Sequence, residues 1–460
     1  MLPRLWKEGK FSSIDAESLS YIRSLGMDSV WYTGVIRHAT AATEKVVKGE
    51  AGSPYAIVDY YDVNPYLANN KDNRMKEFLE LVDRTHEAGL KAIIDFVPNH
   101  VARENVNLGR RDDTSVHWAP ENDFYYYPGE ELTLPADCKG YKEFPAKASG
   151  NAFTPAPGIN DWWETVRLNY CDFHTATWDR MYDIVRFWAL RGVDGFRCDM
   201  VEMVPPEFMT WLIAKIKGEF PEVIFIAEVY EKHKYRMYIE EVGFDLLYDK
   251  SCFYDTLRAV SCSGASATGI SRDWQFLGDL QPRMLNFLEN HDEQRLASDF
   301  FCGSPEKGYA ALAVSLLWNT APFMLYFGQE QGERGMDKEG FSGLDGRTSI
   351  FDWSARHFGP GEVLTAYREL LELAKLPAFR EGKTYDLCYC QDGAFNPHRH
   401  FAWLRSDGKE TFLIVSNFGD TADITVRIPP EALDYLGIKL VRTVHTLTVQ
   451  SHDFQVIELH

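Results

Sequence analysis

Apolar runs of strand length recur along this chain, separated by longer amphipathic stretches, and that alternation narrows the possible folds more than any other feature. The runs are Ser29 to Val35, Lys91 to Val97, Val193 to Cys198, Val223 to Val229, Phe244 to Tyr248, Met284 to Leu288 and Phe323 to Phe327. Continuous apolar runs are how strands buried on both faces are written, and their alternation with helical stretches predicts βα units and a parallel sheet. An eighth strand is expected near Leu2 to Trp6, followed by a helix from about Ile14 to Leu25 capped by Ser13. That first strand is short, as though the natural chain began earlier. Eight such units predict an α/β fold of the (β/α)8 barrel type.

Two stretches break the alternation. Between Val97 and the next clear run lie about 70 residues rich in Pro, Gly, Asn and aromatics, far more than an ordinary βα loop. They predict an inserted subdomain over 101–170. After a helical segment from about Gly361 to Leu376, short alternating strands such as Phe401 to Arg405, Thr411 to Ser416 and Asp423 to Ile428 predict a C-terminal antiparallel β-sandwich over 381–460. The barrel then occupies 1–100 and 171–380.

Charge and cysteine usage exclude several classes. With 68 acidic and 48 basic residues the net charge is −20, a field that repels phosphate backbones and anionic membranes but not neutral sugars. No apolar run approaches the roughly 18 residues of a membrane helix. No nucleic-acid or membrane partner is expected, and the oligomeric state is left open. The 8 cysteines show no paired clusters that would hold zinc, and Cys388 and Cys390 would share one face of a strand. The start, Met1 to Arg4, has no targeting pattern, so the expected location is intracellular unless a signal was removed.

In a barrel the working residues sit at the carboxyl ends of the strands, because the βα loops there surround one mouth. Four strand ends deliver charged groups to that rim: Asp95 to His100, Arg197 to Asp199, Glu228, and Glu289 to Asp292. Cleavage of a glycoside through a covalent intermediate needs a nucleophilic carboxylate and a carboxylic acid about 5 to 5.5 Å apart. Neighbouring parallel strands lie about 4.8 Å apart, so Asp199 and Glu228 can meet that requirement. Arg197, two residues before Asp199, is expected to hold that carboxylate ionised. The apolar Phe225, Ile226 and Ala227, with the neighbouring negative charge, are expected to keep Glu228 protonated.

The order Asp95-x-x-x-Asn99-His100, Gly195-Phe196-Arg197-x-Asp199, Ala227-Glu228 and Asn290-His291-Asp292 resembles the signature set of the α-amylase superfamily of glycoside hydrolases. The resemblance covers about Gly26 to Trp353. It implies a retaining hydrolase of α-glucosidic bonds in α-glucans or malto-oligosaccharides, with Asp199 as nucleophile, Glu228 as general acid and base, and Asp292 as transition-state stabiliser. It further implies that Tyr55, His100, Arg197, His291, Arg347 and, at an unusual offset, Asp345 bind substrate. Asp95, Asn99 and Asn290 support the site.

The departures from the family are specific. Its interdomain calcium uses the asparagine before the first histidine, an aspartate late in the insert, and a histidine four residues after the nucleophile. Here Asn99 is kept, Arg167-Leu168-Asn169 puts a cation at the aspartate position, and Met203 replaces the histidine. No metal or other cofactor is therefore expected, with Arg167 in the ion's place. Glu202 stands where starch-cleaving members carry lysine. A transglycosylase or isomerase on the same scaffold stays open as an alternative. A catalytically inactive binding relative is disfavoured, because the triad is whole.

Overall fold

The computed structural model describes residues 1–138, 140–336, 346–353 and 357–460. All seven expected runs form strands: β1 (Ser29–Tyr32), β2 (Lys91–Phe96), β3 (Gly195–Cys198), β4 (Ile224–Ala227), β5 (Leu246–Tyr248), β6 (Met284–Phe287) and β7 (Phe323–Met324). They pair in parallel and in chain order, the topology of a singly wound barrel. Helix α1 (Ala16–Ser24) precedes β1; α2 (Arg74–Glu87), α3 (Ala176–Ala189), α4 (Pro206–Glu219), α5 (Asp255–Cys262), α6 (Thr268–Leu277) and α7 (Tyr309–Leu317) lie between strands, and α8 (Thr365–Leu373) follows β7.

The expected first strand differs. Pro3–Leu5 is a 3₁₀ turn, because Pro3 has no amide to give to a ladder. Pairing is confined to its ends. The Met1 amine donates to Trp31 O at 2.6 Å and Met1 O accepts from Thr33 N at 2.9 Å, while Trp6 bridges Phe358 in parallel. The helix that follows starts later than expected. Asp15, not Ser13, is the cap, accepting from Ser18 N at 2.9 Å.

The insert is held by short two-stranded pieces, His100–Ala102 with Thr165–Arg167 and Tyr126–Tyr127 with Ala146–Lys147. Its buried Arg103 donates to Trp163 O, Glu143 and Ser149. A second excursion pairs Ile36–His38 with Ile57–Val63 through register shifts and carries Tyr55 to the rim. At the C-terminus, β8 (Lys383–Asp386), β9 (His400–Ser406), β10 (Thr411–Asn417) and β13 (Phe454–Glu458) form one antiparallel sheet. A second pairs β11 (Ala422–Arg427) with β12 (Val444–Val449). Every residue of β9 is buried. Phe401 and Trp403 pack with α7 of the barrel, while Ala402 and Leu404 pack against Ile424 and Val426 of the second sheet. The alternation of a strand thus serves two cores at once. Cys388–Cys390 form a 3₁₀ turn, so they do not share a strand face as expected.

Candidate active site

Register places the acids. Asp95 pairs with Arg197 across β2 and β3, and Ala227 with Cys198 across β3 and β4, so Asp199 and Glu228 emerge side by side. Their amides continue the ladder, Asp199 N to Phe96 O at 2.9 Å and Glu228 N to Cys198 O at 3.2 Å. The Arg197 guanidinium lies between them. One terminal nitrogen donates to Asp199 Oδ1 at 2.6 Å, and the other forms an ion pair with Glu228 Oε1 at 2.9 Å. Arg197 Nε donates to the Tyr248 hydroxyl at 3.2 Å, and the rings of Trp31, Tyr55 and Tyr248 surround the cation. Asp95 sits 3.7 Å from Arg197, and its two oxygens have no hydrogen-bond partner among the described residues.

Burial pushes the Asp199 carboxyl well above the usual carboxylate range. Arg197 opposes this and the charge of Glu228 adds to it. Arg197 contacts Asp199 as expected, but burial opposes the ionised form it was expected to hold. The expected apolar setting of Glu228 is corrected as well. Its Oε2 accepts from Met200 N at 2.9 Å and its Oε1 from the Tyr230 hydroxyl at 2.7 Å. With Arg197 they give Glu228 three polar partners. The two acids share one cation.

Asp292 faces the cleft with its side chain 38% exposed. Burial raises its carboxyl, but His291, Arg197 and Arg347 outweigh that and leave it lowered to about 2. Asn290 orders the turn, its Oδ1 accepting from the amides of Asp292 and Glu293. His291 Nε2 lies 3.1 Å from Asp292 Oδ2 and 2.5 Å from the Tyr55 hydroxyl, and the Tyr55 and His291 rings stack at 5.4 Å. Across the site, burial with Arg167 and Lys48 lowers the His100 imidazole to about 3. Asn99 Nδ2 donates to its Nδ1 at 3.2 Å, which leaves the Nε2 hydrogen for a ligand. Arg347 lies close enough to act on Asp292, and its Nε has no partner among the described residues. Asp345, the remaining expected residue, lies outside the described residues.

Arg167 occupies the junction of insert and barrel. Its guanidinium donates to Met203 O at 2.9 Å and to Gly150 O at 3.3 Å, and Asn99 Nδ2 also donates to Gly150 O. A hard divalent ion needs such oxygens for itself and no guanidinium beside it, so these residues do not fit calcium. Among the described residues no cluster of three His, Cys, Asp or Glu side chains could hold a metal.

Sequence reasoning missed two contributors. Tyr230 turns back on Glu228, which its position two residues later on a parallel strand end would allow. Met200 adopts a left-handed backbone at φ 46°, uncommon for a residue with a side chain, and this aims its amide at Glu228. No side-chain pattern signals such a dihedral.

These features define a parallel α/β-barrel protein whose strand ends converge three acids around one buried arginine. The alpha-amylase catalytic-domain family model matches residues 9–358, and the chain belongs to the alpha-amylase family. It is 26% identical over 439 residues to an alpha-amylase of Haloarcula japonica, covering 92% of this chain and 54% of that one. It is 24% identical to an alpha-amylase of Streptomyces lividans, covering 85% and 49% respectively. The chain thus spans about half the length of these curated relatives. A maltogenic alpha-amylase of Thermotoga neapolitana shares the fold with TM-score 0.67 at 20% identity, over 100% of this chain and 94% of that one.

Proposed function

We propose that the chain is a retaining glycoside hydrolase that cleaves α-glucosidic bonds in α-glucans or malto-oligosaccharides. The barrel, over 1–100 and 171–380, carries the chemistry. The insert at 101–170 forms one wall of the cleft, and 381–460 is the C-terminal domain. The observation that carries the reading is Arg197, which touches both Asp199 and Glu228 from one planar group. Such closeness supports direct attack by a carboxylate over a mechanism that leaves room for water between the acids. Family membership and the relatives' names support the α-glucan class.

Asp199 attacks the anomeric carbon while Glu228 gives its proton to the leaving oxygen, so the glycosidic bond breaks as an ester to Asp199 forms. Glu228 then takes a proton from water, which displaces Asp199. In this step Asp199 acts as the carboxylate and Glu228 as the carboxylic acid. Asp292, kept ionised, accepts hydrogen bonds from hydroxyls of the distorted ring, and the neutral His100 donates from Nε2. Tyr55 and His291 frame the same ring, and Arg347 lies beyond Asp292. The chain works without calcium, the Arg167 cation filling that role. An activated fluoroglucoside that accumulates the intermediate should add one glycosyl mass to the peptide holding Asp199. A label on another residue, or none, overturns the assignment.

A further inference from the structure

Three tyrosines of the C-terminal domain stand round one groove, and two of them are conspicuously open. Tyr389 and Tyr435 are 63% and 52% exposed. Tyr385 lies between them, its ring 6.2 Å from Tyr389 and 5.7 Å from Tyr435, with its hydroxyl 2.6 Å from that of Tyr389. The groove has a volume of about 460 Å³, and its far wall is Thr268, Ser271 and Trp274 of α6. That volume suits a small-molecule or oligosaccharide ligand, for which sites run about 300 to 1,000 Å³.

Topology puts this groove away from the acids. Helix α6 leads into the start of β6 and α7 into the start of β7, so the ends of both helices lie at the amino ends of the strands. Thr384 donates to Trp318 O, just past α7, and Trp274 packs on Trp318 at 5.6 Å. Asp199, Glu228 and Asp292 stand at the carboxyl ends.

The chemistry of the lining selects the occupant. Its carboxylate, Asp386, is already engaged by the Ser271 hydroxyl and by Cys388 N at 2.8 Å. At the edge, Lys383 donates to Tyr435 O at 3.0 Å. No charge of the lining is left for an ionic ligand among the described residues, and a net charge of −20 disfavours anions. What remains is a set of flat apolar faces tipped with hydroxyls. Such faces stack on the C–H face of a sugar ring while their polar edges exchange hydrogen bonds with its hydroxyls.

We propose that this groove is a second carbohydrate-binding site, which holds a stretch of neutral glucan on the barrel face opposite the cleft. Its preference for α-linked glucose rests on the function proposed above, whereas the neutral-sugar chemistry rests on the groove itself. Two contacts on one polymer raise its effective concentration at the cleft.

The test compares Asp199→Asn chain with the same chain also carrying Tyr389→Ala and Tyr435→Ala, by retardation in native gels cast with glycogen. Removing the tyrosines should weaken retention about tenfold, the loss expected when a two-point contact loses stacking anchors. With Asp199 restored, Tyr389→Ala/Tyr435→Ala should leave kcat/KM on a nitrophenyl maltoside unchanged. Tyr389→Phe/Tyr435→Phe, which keeps the rings, should retain most of the binding. Parallel gels with laminarin and hydroxyethyl cellulose separate the two readings. Retention by one of those glucans alone, lost with the tyrosines, keeps the groove and removes the α-glucan assignment. Retention that ignores the tyrosines in every gel overturns the groove. So does a dimer, seen by mass photometry, that the substitutions dissolve, because the rings would then be a subunit interface.

Discussion

Replacing Arg167 by methionine removes two donors while keeping an unbranched apolar stem. Gly150 O stays satisfied by Asn99 Nδ2 at 3.1 Å, but Met203 O loses the guanidinium at 2.9 Å. A hydrogen bond to a charged donor contributes about 1.5 to 3 kcal/mol net, and an unsatisfied buried carbonyl costs about 1 to 3 kcal/mol. The two overlap, so the loss should be about 2 to 4 kcal/mol, a fall of roughly 2 to 4 °C in Tm for a chain this large. Arg167→Asp goes further, since it returns a carboxylate to a pocket that already offers Gly150 O, Met203 O and the Asn99 side chain. Differential scanning fluorimetry reads both. The wild-type Tm should ignore EDTA, Arg167→Met should fall with or without calcium, and Arg167→Asp should fall in EDTA and recover in millimolar calcium. A wild-type Tm that drops on chelation and returns with calcium would refute the role given to Arg167.

Asp199→Asn should lower turnover by roughly 10⁴-fold or more and leave the chain folded, as measured by kcat and circular dichroism. Because burial raises the Asp199 carboxyl, native Asp199 weakens the fold as pH rises through its elevated value. The Tm gain of Asp199→Asn should therefore be absent at low pH and grow toward neutrality; a gain that shrinks instead contradicts the sign. Glu228→Gln should be nearly inactive on sugars with poor leaving groups yet recover the first step with a strongly acidic one, and stopped-flow burst kinetics without that recovery would count against an acid role. Tyr230→Phe removes the hydroxyl that donates to Glu228 at 2.7 Å, so kcat/KM should fall about tenfold with the Tm kept; an unchanged kcat/KM makes the Tyr230 contact merely structural.

The barrel was legible because strands buried on both faces leave continuous apolar runs, and each of β1 to β7 lies within such a run. The acids were legible because a parallel strand ends where its loop begins, so Asp199 and Glu228 announce the rim by position alone. Other features escaped for stated reasons. Leu2 to Trp6 is apolar enough for a strand, but Pro3 breaks the ladder. Ser13 and Asp15 are both good caps, and the choice depends on where the preceding turn ends. The hairpin of Ile57–Val63 has register shifts that blur its alternation. The contacts of Glu228 with Met200 N and the Tyr230 hydroxyl come together only in three dimensions.

The central claim is double displacement at Asp199, and the configuration of the first product tests it without depending on which sugar is preferred. Two successive inversions return the starting configuration. Proton NMR of the anomeric signals in the first minutes, before mutarotation, should show the α anomer accumulating ahead of its equilibrium share. Initial release of the β anomer would contradict the account, because water rather than Asp199 would then be the attacking group.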